Sequence, residues 1–530
     1  MQQLTGLDQL FLTINSKTTN SVLGGLILFE APTEGQPVPD EAFMRRRLAD
    51  RIQYLPPLYR VLVPVPFGLD HPYLAQADRI DIGAHVRTIR LPEPGTREQL
   101  AEEISLLMSA NLEQGRPMWD LTVFEGMDNG GVAHLLRIDH TVIDGSSFPP
   151  MWDALADDPV DPLDDSAYTD WPEPLFGQAE MLARGLVGVA SLPVKAAKLQ
   201  VELVSWLLGR LPQDHWSTIP QLVAKILPGG LGLAVSSLVN LRQQAKGQPE
   251  VTPIVPTLWP PSTPINGRLS SRRSFVYSTM SLSDAKAVGK AFDTTLNNVV
   301  VAVATGAVRR FLQDRDGLPE RPLIGCCPIS LRTGQDKNPW ANILFMMFAP
   351  LPTDLADPVE RLRAVTRNLK VAKDSFDNLP TQLMRHGSSL LSGALYALPI
   401  QALSRAPHRM AKAPWNIVVS NVRGSTKPAT MNGLKVLGYA PISFMTVGGG
   451  MDITLQSHED TISFGFIGAR ELVGDMWPMT DYMSEELEAL KKAAAAMPTK
   501  GSRAPGTPRP RRRRVAATAT AAPRIMEVVS

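Results

Sequence analysis

The sequence has almost no cysteine: two residues in 530, the adjacent Cys326 and Cys327. Two neighbouring thiols cannot form a disulfide framework or a four-cysteine zinc site. On a strand, adjacent side chains point to opposite faces, so the pair reads as part of one buried strand, and a cysteine nucleophile is not expected. Also missing is an apolar run of the ~20 residues that a membrane-spanning helix needs. Residues 226–241 are uncharged, but Pro228-Gly229-Gly230 breaks them, and 388–404, also uncharged, carry Pro399 and several polar groups. The first 17 residues have no basic segment, and Asp8 interrupts their short apolar stretch, so they do not read as a signal peptide. A soluble or peripheral cytoplasmic protein is expected.

Net charge is nearly absent too, at +1, but only by cancellation. Eight of the 53 lysines and arginines, and one of the 52 acids, lie from Lys500 onward, which leaves a tail of +7 on a body of −6. That split is the pattern of a basic arm on a folded, mildly acidic body. The body is 44% hydrophobic and 20% charged with the tail included, too apolar for a chain disordered throughout. Its length suits two large domains or three small ones.

Pattern along the chain divides it into α/β, helical and again α/β stretches. Residues 23–30 and 131–140 read as strands, and 41–53 and 97–113 as helices with apolar spacing of three and four. Asp- and Pro-rich residues 157–174 read as a linker, and 177–245 as amphipathic helices. After a Pro-rich crossing at 251–267, strands are expected at 274–282, 323–329, 343–349, 417–420 and twice within 453–467. Helices are expected from Ser283-Asp284 to Phe292, over 295–312 and over 484–496. The domains expected are 1–160, a connector over 161–265, 266–497, and a disordered basic tail over 498–530.

One stretch concentrates chemical groups: Asp139-His140-Thr141-Val142-Ile143-Asp144-Gly145. A histidine at a strand end projects into whatever cleft the strand faces, and its near-neutral pKa suits it to take a proton from a hydroxyl or thiol. An aspartate four residues on braces the turn, and Gly145 lets the chain bend. The pattern alone also fits a structural histidine.

Its context narrows the choice. Arg116-Pro117-Met118-Trp119 precedes it, and Pro264-Ile265-Asn266-Gly267-Arg268, Thr295-Leu296-Asn297-Asn298-Val299, Pro328-Ile329-Ser330-Leu331-Arg332 and Ser420-Asn421-Val422-Arg423-Gly424 come after it in order. With Leu7-Asp8, Gly24-Gly25 and Phe29-Glu30 at the start, this ordered set over residues 1–495 resembles the bacterial wax ester synthase/acyl-CoA:diacylglycerol acyltransferase family and its HHxxxDG motif. The resemblance implies an α/β (α+β) fold of two similar CoA-dependent acyltransferase-like domains with an active-site tunnel between them. It implies transfer of a long-chain acyl group from acyl-CoA to diacylglycerol, a fatty alcohol or both, forming triacylglycerol or wax ester. An inactive lipid-binding relative, or an HxxxD transferase with another alcohol acceptor, are the alternatives. No cofactor or metal is expected, acyl-CoA being a co-substrate, and no nucleic acid partner.

By the same resemblance, His140 is the general base, Asp144 a structural support with Arg332 as one candidate partner, and Gly145 a backbone bend. Asn297 steadies an oxyanion or orients another group, unless it caps the following helix. Asp139 replaces the family's first histidine. On a strand it points away from His140, needs partners if buried, and predicts altered activity or substrate choice, so that restoring histidine would raise activity if Asp139 limits it. The helical connector is expected to pack on the two domains or to lie on a membrane or lipid inclusion. The tail Arg511–Arg514 is expected to meet anionic lipid or nothing.

Overall fold

A computed structural model describes residues 1–159, 175–208, 260–331, 340, 342–377 and 413–497. Most of the linker at 157–174, the connector beyond Leu208, most of the Pro-rich crossing, Arg332 and the basic tail lie outside the described residues.

The strands in chain order are β1 (Gln2–Gln3), β2 (Val22–Phe29), β3 (Arg60–Val63), β4 (Tyr73–Gln76), β5 (Val86–Arg90), β6 (Trp119–Glu125), β7 (Ala133–Asp139), β8 (Arg273–Ser281), β9 (Leu323–Ser330), β10 (Leu344–Leu351), β11 (Ile417–Val422), β12 (Thr430–Met431), β13 (Leu434–Ile442), β14 (Met451–His458) and β15 (Thr461–Ala469). They form two six-stranded sheets, β12-β13-β2-β7-β6-β5 and β10-β9-β11-β14-β15-β8, and a small sheet β1-β4-β3. This is the mixed α/β architecture of two similar halves. The central strands β2 and β7 are apolar or buried on both faces, as strands covered on both sides must be.

The two halves share strands. β12 and β13 come from the C-terminal half, yet β13 runs antiparallel to β2 and completes the N-terminal sheet. At the crossing, β13 passes so close to β15 that a Cβ on Gly465 would lie 1.9 Å from the Pro441 carbonyl oxygen. Only glycine fits there. Gly465→Ala should therefore cost about 1–3 kcal/mol of stability, the range for overpacking. Thermal unfolding measures it, and an unchanged midpoint would refute the close approach.

The C-terminal sheet packs one face against the helices Leu282–Ala291, Leu296–Gln313, Pro358–Asp377 and Pro478–Ala495. Thr295 caps the second of these by accepting from Asn298 N, and Ser281, not Ser283, caps the first. Cys327 joins that core, while Cys326, on the opposite face of β9, points the other way. In the N-terminal half, the helix Arg97–Met108 starts with a Thr96–Gln99 capping box and packs on β8, where Ser105 Oγ accepts from Phe275 N (2.9 Å). The connector is described as one helix, Gln178–Leu208.

Candidate active site

β7 ends at Asp139, and its register pairs Asp139 with Val22 of β2 and Ile138 with Trp119 of β6. His140 N donates to Ser21 O (2.7 Å), so the strand end is tied to the start of β2. From the other half, Asn342 Nδ2 donates to the His140 carbonyl (2.7 Å) and to Asp8 Oδ1 (2.7 Å). The backbone that carries His140 is thus gripped from both halves.

The imidazole is 6% exposed. It stacks on Phe11 at 3.8 Å between ring centroids and 17° between planes, and Phe444 meets it edge-on at 5.4 Å. Two aromatic contacts fix the ring plane. Its Nδ1 makes no hydrogen bond of good geometry among the described residues. Burial lowers the His140 pKa below the usual imidazole value; nearby backbone carbonyls of His140 and Ile143 and the charges of Asp144 and Asp139 pull it partly back. A histidine held neutral, with carboxylates near enough to favour the imidazolium once it forms, is suited to accept a proton transiently.

Asp139 is 3% exposed and fully partnered. Its Oδ1 accepts from Ser21 Oγ (3.0 Å) and Thr141 N (2.9 Å), and its Oδ2 from Asn15 Nδ2 (3.1 Å). Asn15 lies at the exit of the helix Gly6–Ile14, and Ser21 at the start of β2. Asp144 caps the turn Gly145–Ser147, with Oδ1 accepting from Ser146 N (2.9 Å) and from the Ser146 hydroxyl. Gly145 faces Val422 of the opposite half, 3.7 Å from where its Cβ would be.

His140 lines a cavity of about 770 Å³, its open mouth included. Phe11, Gly24 and Phe148 wall it on the N-terminal side; Leu344, Met346, Val418 and Val422 on the C-terminal side; and the end of β13 with Phe444 crosses between them. Both halves therefore build one largely apolar chamber that holds a basic nitrogen. Cys326 also lines it, but burial pushes its thiol pKa well above the usual value, which leaves no thiolate to act as nucleophile. Among the described residues, no group of three His, Cys, Asp or Glu side chains could hold a metal ion.

Asn297 does not line this cavity. It is exposed in the first turn of the helix Leu296–Gln313, and its Oδ1 accepts from Asn421 Nδ2 (3.1 Å). Capping falls to Thr295 instead. Trp119 and Asp120, beside the RPMW element, are structural: Trp119 Nε1 donates to Leu58 O (2.7 Å), and Asp120 pairs with buried Arg137 (2.9 and 2.5 Å). Sequence reasoning missed Phe11, Phe444 and Asn342 around His140, and Asp452 in the cavity wall. Only Asp452 leaves a local trace, as the one charge inside an otherwise strand-like MDITLQ.

Comparisons with known proteins match two stretches of the chain to one family. The profile of the wax ester synthase/diacylglycerol acyltransferase catalytic domain matches residues 4–300, and that of the WS/DGAT C-terminal domain matches residues 340–491. Two chains of Mycobacterium tuberculosis that carry the provisional name diacylglycerol O-acyltransferase are similar along nearly their whole length. One is 27% identical over 510 residues, covering 94% of this chain and 92% of the relative. The other is 29% identical over 497 residues, covering 92% and 99%. Among solved structures, the wax ester synthase/diacylglycerol acyltransferase from Marinobacter aquaeolei VT8 superposes with a TM-score of 0.62 at 23% identity, over 93% of this chain and all of that one. The first condensation domain of the calcium-dependent antibiotic synthetase superposes at 0.51 and 14%, over 93% and 96%. At these identities the likeness to solved structures is one of fold.

Proposed function

This chain belongs to the wax ester synthase/diacylglycerol acyltransferase family and is an acyl-CoA-dependent O-acyltransferase, and we propose that His140 is its general base. The acyl donor is a long-chain acyl-CoA, and the acceptor is the hydroxyl of diacylglycerol or of a fatty alcohol. The observation that carries this reading is the placement of His140, held neutral, in an apolar chamber walled by both halves.

The step balances without any further reactant. His140 takes the acceptor hydroxyl proton as that oxygen bonds to the thioester carbonyl carbon. The tetrahedral adduct then collapses, the C–S bond breaks, and the departing CoA sulfur takes the proton from the imidazolium. The charges of Asp139 and Asp144 favour that imidazolium. The dry aromatic clamp of Phe11 and Phe444 holds the ring in one orientation and limits competing hydrolysis. Asp144 holds the turn that Gly145 begins.

Among the described residues, no single helix is long and apolar enough to cross a membrane. Contact with a membrane or lipid inclusion is assigned to the helix Gln178–Leu208, where Leu186, Val187 and Val194 are exposed together with Phe67 of the turn it packs on. Single apolar side chains on a surface are ordinary, but their concentration on this helix and turn, Val189 included, supports an interfacial role.

The test is an acceptor screen. Purified protein with a long-chain acyl-CoA is expected to release CoA thiol and form ester with diacylglycerol, a fatty alcohol or both. No thiol release and no ester with any alcohol acceptor would overturn the reading.

A further inference from the structure

The cavity wall that the C-terminal sheet supplies carries a polar group that the mechanism does not use. Asp452 sits on β14 with 2% of its surface exposed. The register places it beside Val418 of β11, which in turn lies beside Cys326 of β9, so the three residues form one row on the cavity face of the C-terminal sheet. Thr454 lies two residues on, on the same face, and its Oγ1 donates to Asp452 Oδ1 (2.7 Å). Ser443, just past the end of β13, supplies a second hydroxyl to the same carboxyl. All three line the chamber.

A carboxyl in an apolar wall is costly unless something polar meets it. A hydrocarbon tail lying against this cluster would offer it nothing. An acyl chain and a fatty alcohol each bring a single oxygen function, and both of those oxygens belong at His140 where the ester forms. A diacylglycerol differs, because it brings two ester groups in addition to the hydroxyl that reacts.

We propose that Asp452, with Thr454 and Ser443, forms a second polar subsite in the chamber that takes an ester carbonyl oxygen of the acceptor, so that the site favours diacylglycerol over a plain fatty alcohol. An ester carbonyl only accepts hydrogen bonds, so the subsite must donate one. Burial raises the Asp452 pKa to about 7, which keeps a large share of the carboxyl protonated near neutrality and makes its O–H the donor, while the Thr454 and Ser443 hydroxyls, spent on the carboxyl, hold it in place. Among the described residues, the other titratable groups that line the chamber are His140 and Cys326, both of which burial holds in the neutral form. No described lysine or arginine lines it to draw the carboxyl into its charged form.

The inference rests on the acyl-transfer reading for the choice of ligand, but its test does not need turnover. Equilibrium binding of 1,2-dioctanoylglycerol and of 1-decanol is measured on the full chain without acyl-CoA, for the parent and for Asp452→Leu, Asp452→Asn and Thr454→Val. The expected result is a fall of roughly three- to tenfold in the preference for diacylglycerol in Asp452→Leu, the weight of one hydrogen bond in a binding constant. Thr454→Val, which removes a hydroxyl that favours the charged carboxyl, should shift the pH at which the preference is lost upward. Asp452→Asn, which keeps an N–H donor, should restore most of it. An unchanged ratio in Asp452→Leu overturns the subsite, and this includes the case in which both ligands weaken equally. If Asp452→Leu does not fold, the parent's ratio measured against pH decides: it should fall as pH rises through about 7, and a flat profile overturns the subsite. A chain that shows the ratio change but releases no thiol would retain the subsite and lose the acyl-transfer reading.

Discussion

Replacing His140 with alanine is expected to lower kcat for acyl transfer by roughly 10²–10⁴-fold, the usual contribution of a positioned general base. Binding should change much less, because the chamber is walled by many other residues from both halves. His140→Gln, which keeps more of the packing against Phe11 and Phe444, should fall with it, since the amide cannot take the proton. The pH profile carries the same assignment. The base works when neutral, so kcat/KM rises with pH through the His140 pKa and then levels off. Burial places that pKa below the ordinary value of about 6.5, so the midpoint of the rise should lie below that of a free imidazole. Asp139 and Asp144 both raise it; Asp139→Asn should therefore move the acid limb to lower pH. Initial rates of thiol release for the three variants check all of this. Undiminished release by His140→Ala would remove His140 from the mechanism.

The centre of this site was legible in the sequence because its parts are local. Asp139, His140, Asp144 and Gly145 fall within seven residues, at a strand end that leads into a turn, and strand alternation alone puts the first two on opposite sides. The two-half architecture was legible from hydrophobic period for the same reason. The walls of the site were not legible. Phe11 lies 129 positions before His140, and Asn342 and Phe444 lie 202 and 304 positions after it. Only the non-local pairing of sheets brings them together. The residues 434–442 show nothing that assigns them to the N-terminal sheet, since alternation says that a strand has a buried face but not which partner buries it. Asn297 shows the converse: a motif match placed it beside the chemistry, while the helix geometry turns it to the exposed surface next to Asn421. Asp452 was visible as a charge in a strand, but its cavity exists only once β11, β14 and the end of β13 are assembled.

Asp139→His, the change that restores the family's motif, is expected to lower both stability and activity rather than raise activity. From the sequence, Asp139 is a defect at a histidine position, and reversion should help if it limits the rate. The structure gives it a different role. Its two oxygens accept from Asn15 Nδ2, Ser21 Oγ and Thr141 N, three donors at 2.9–3.1 Å around a side chain only 3% exposed. A neutral imidazole has one acceptor nitrogen and brings a donor of its own. The Ser21 hydroxyl can turn to Asn15 Oδ1, 3.1 Å away, but Asn15 Nδ2 and Thr141 N would then compete for a single acceptor. Each buried donor left without a partner costs about 1–3 kcal/mol, and the larger ring must also fit a filled site. Together these put the loss at about 2–4 kcal/mol. Activity should fall with it, because Thr141 N is the next amide after His140 and its bond to Asp139 helps set the strand exit on which the imidazole is carried. Losing the Asp139 charge also weakens support for the imidazolium. Asp139→Asn, which keeps the shape and one acceptor oxygen, should lose less stability than the histidine variant. Thermal unfolding and kcat of the two variants beside the parent give the answer, and a histidine variant as stable as the parent and more active would show that the hydrogen bonds around Asp139 do not hold this strand end.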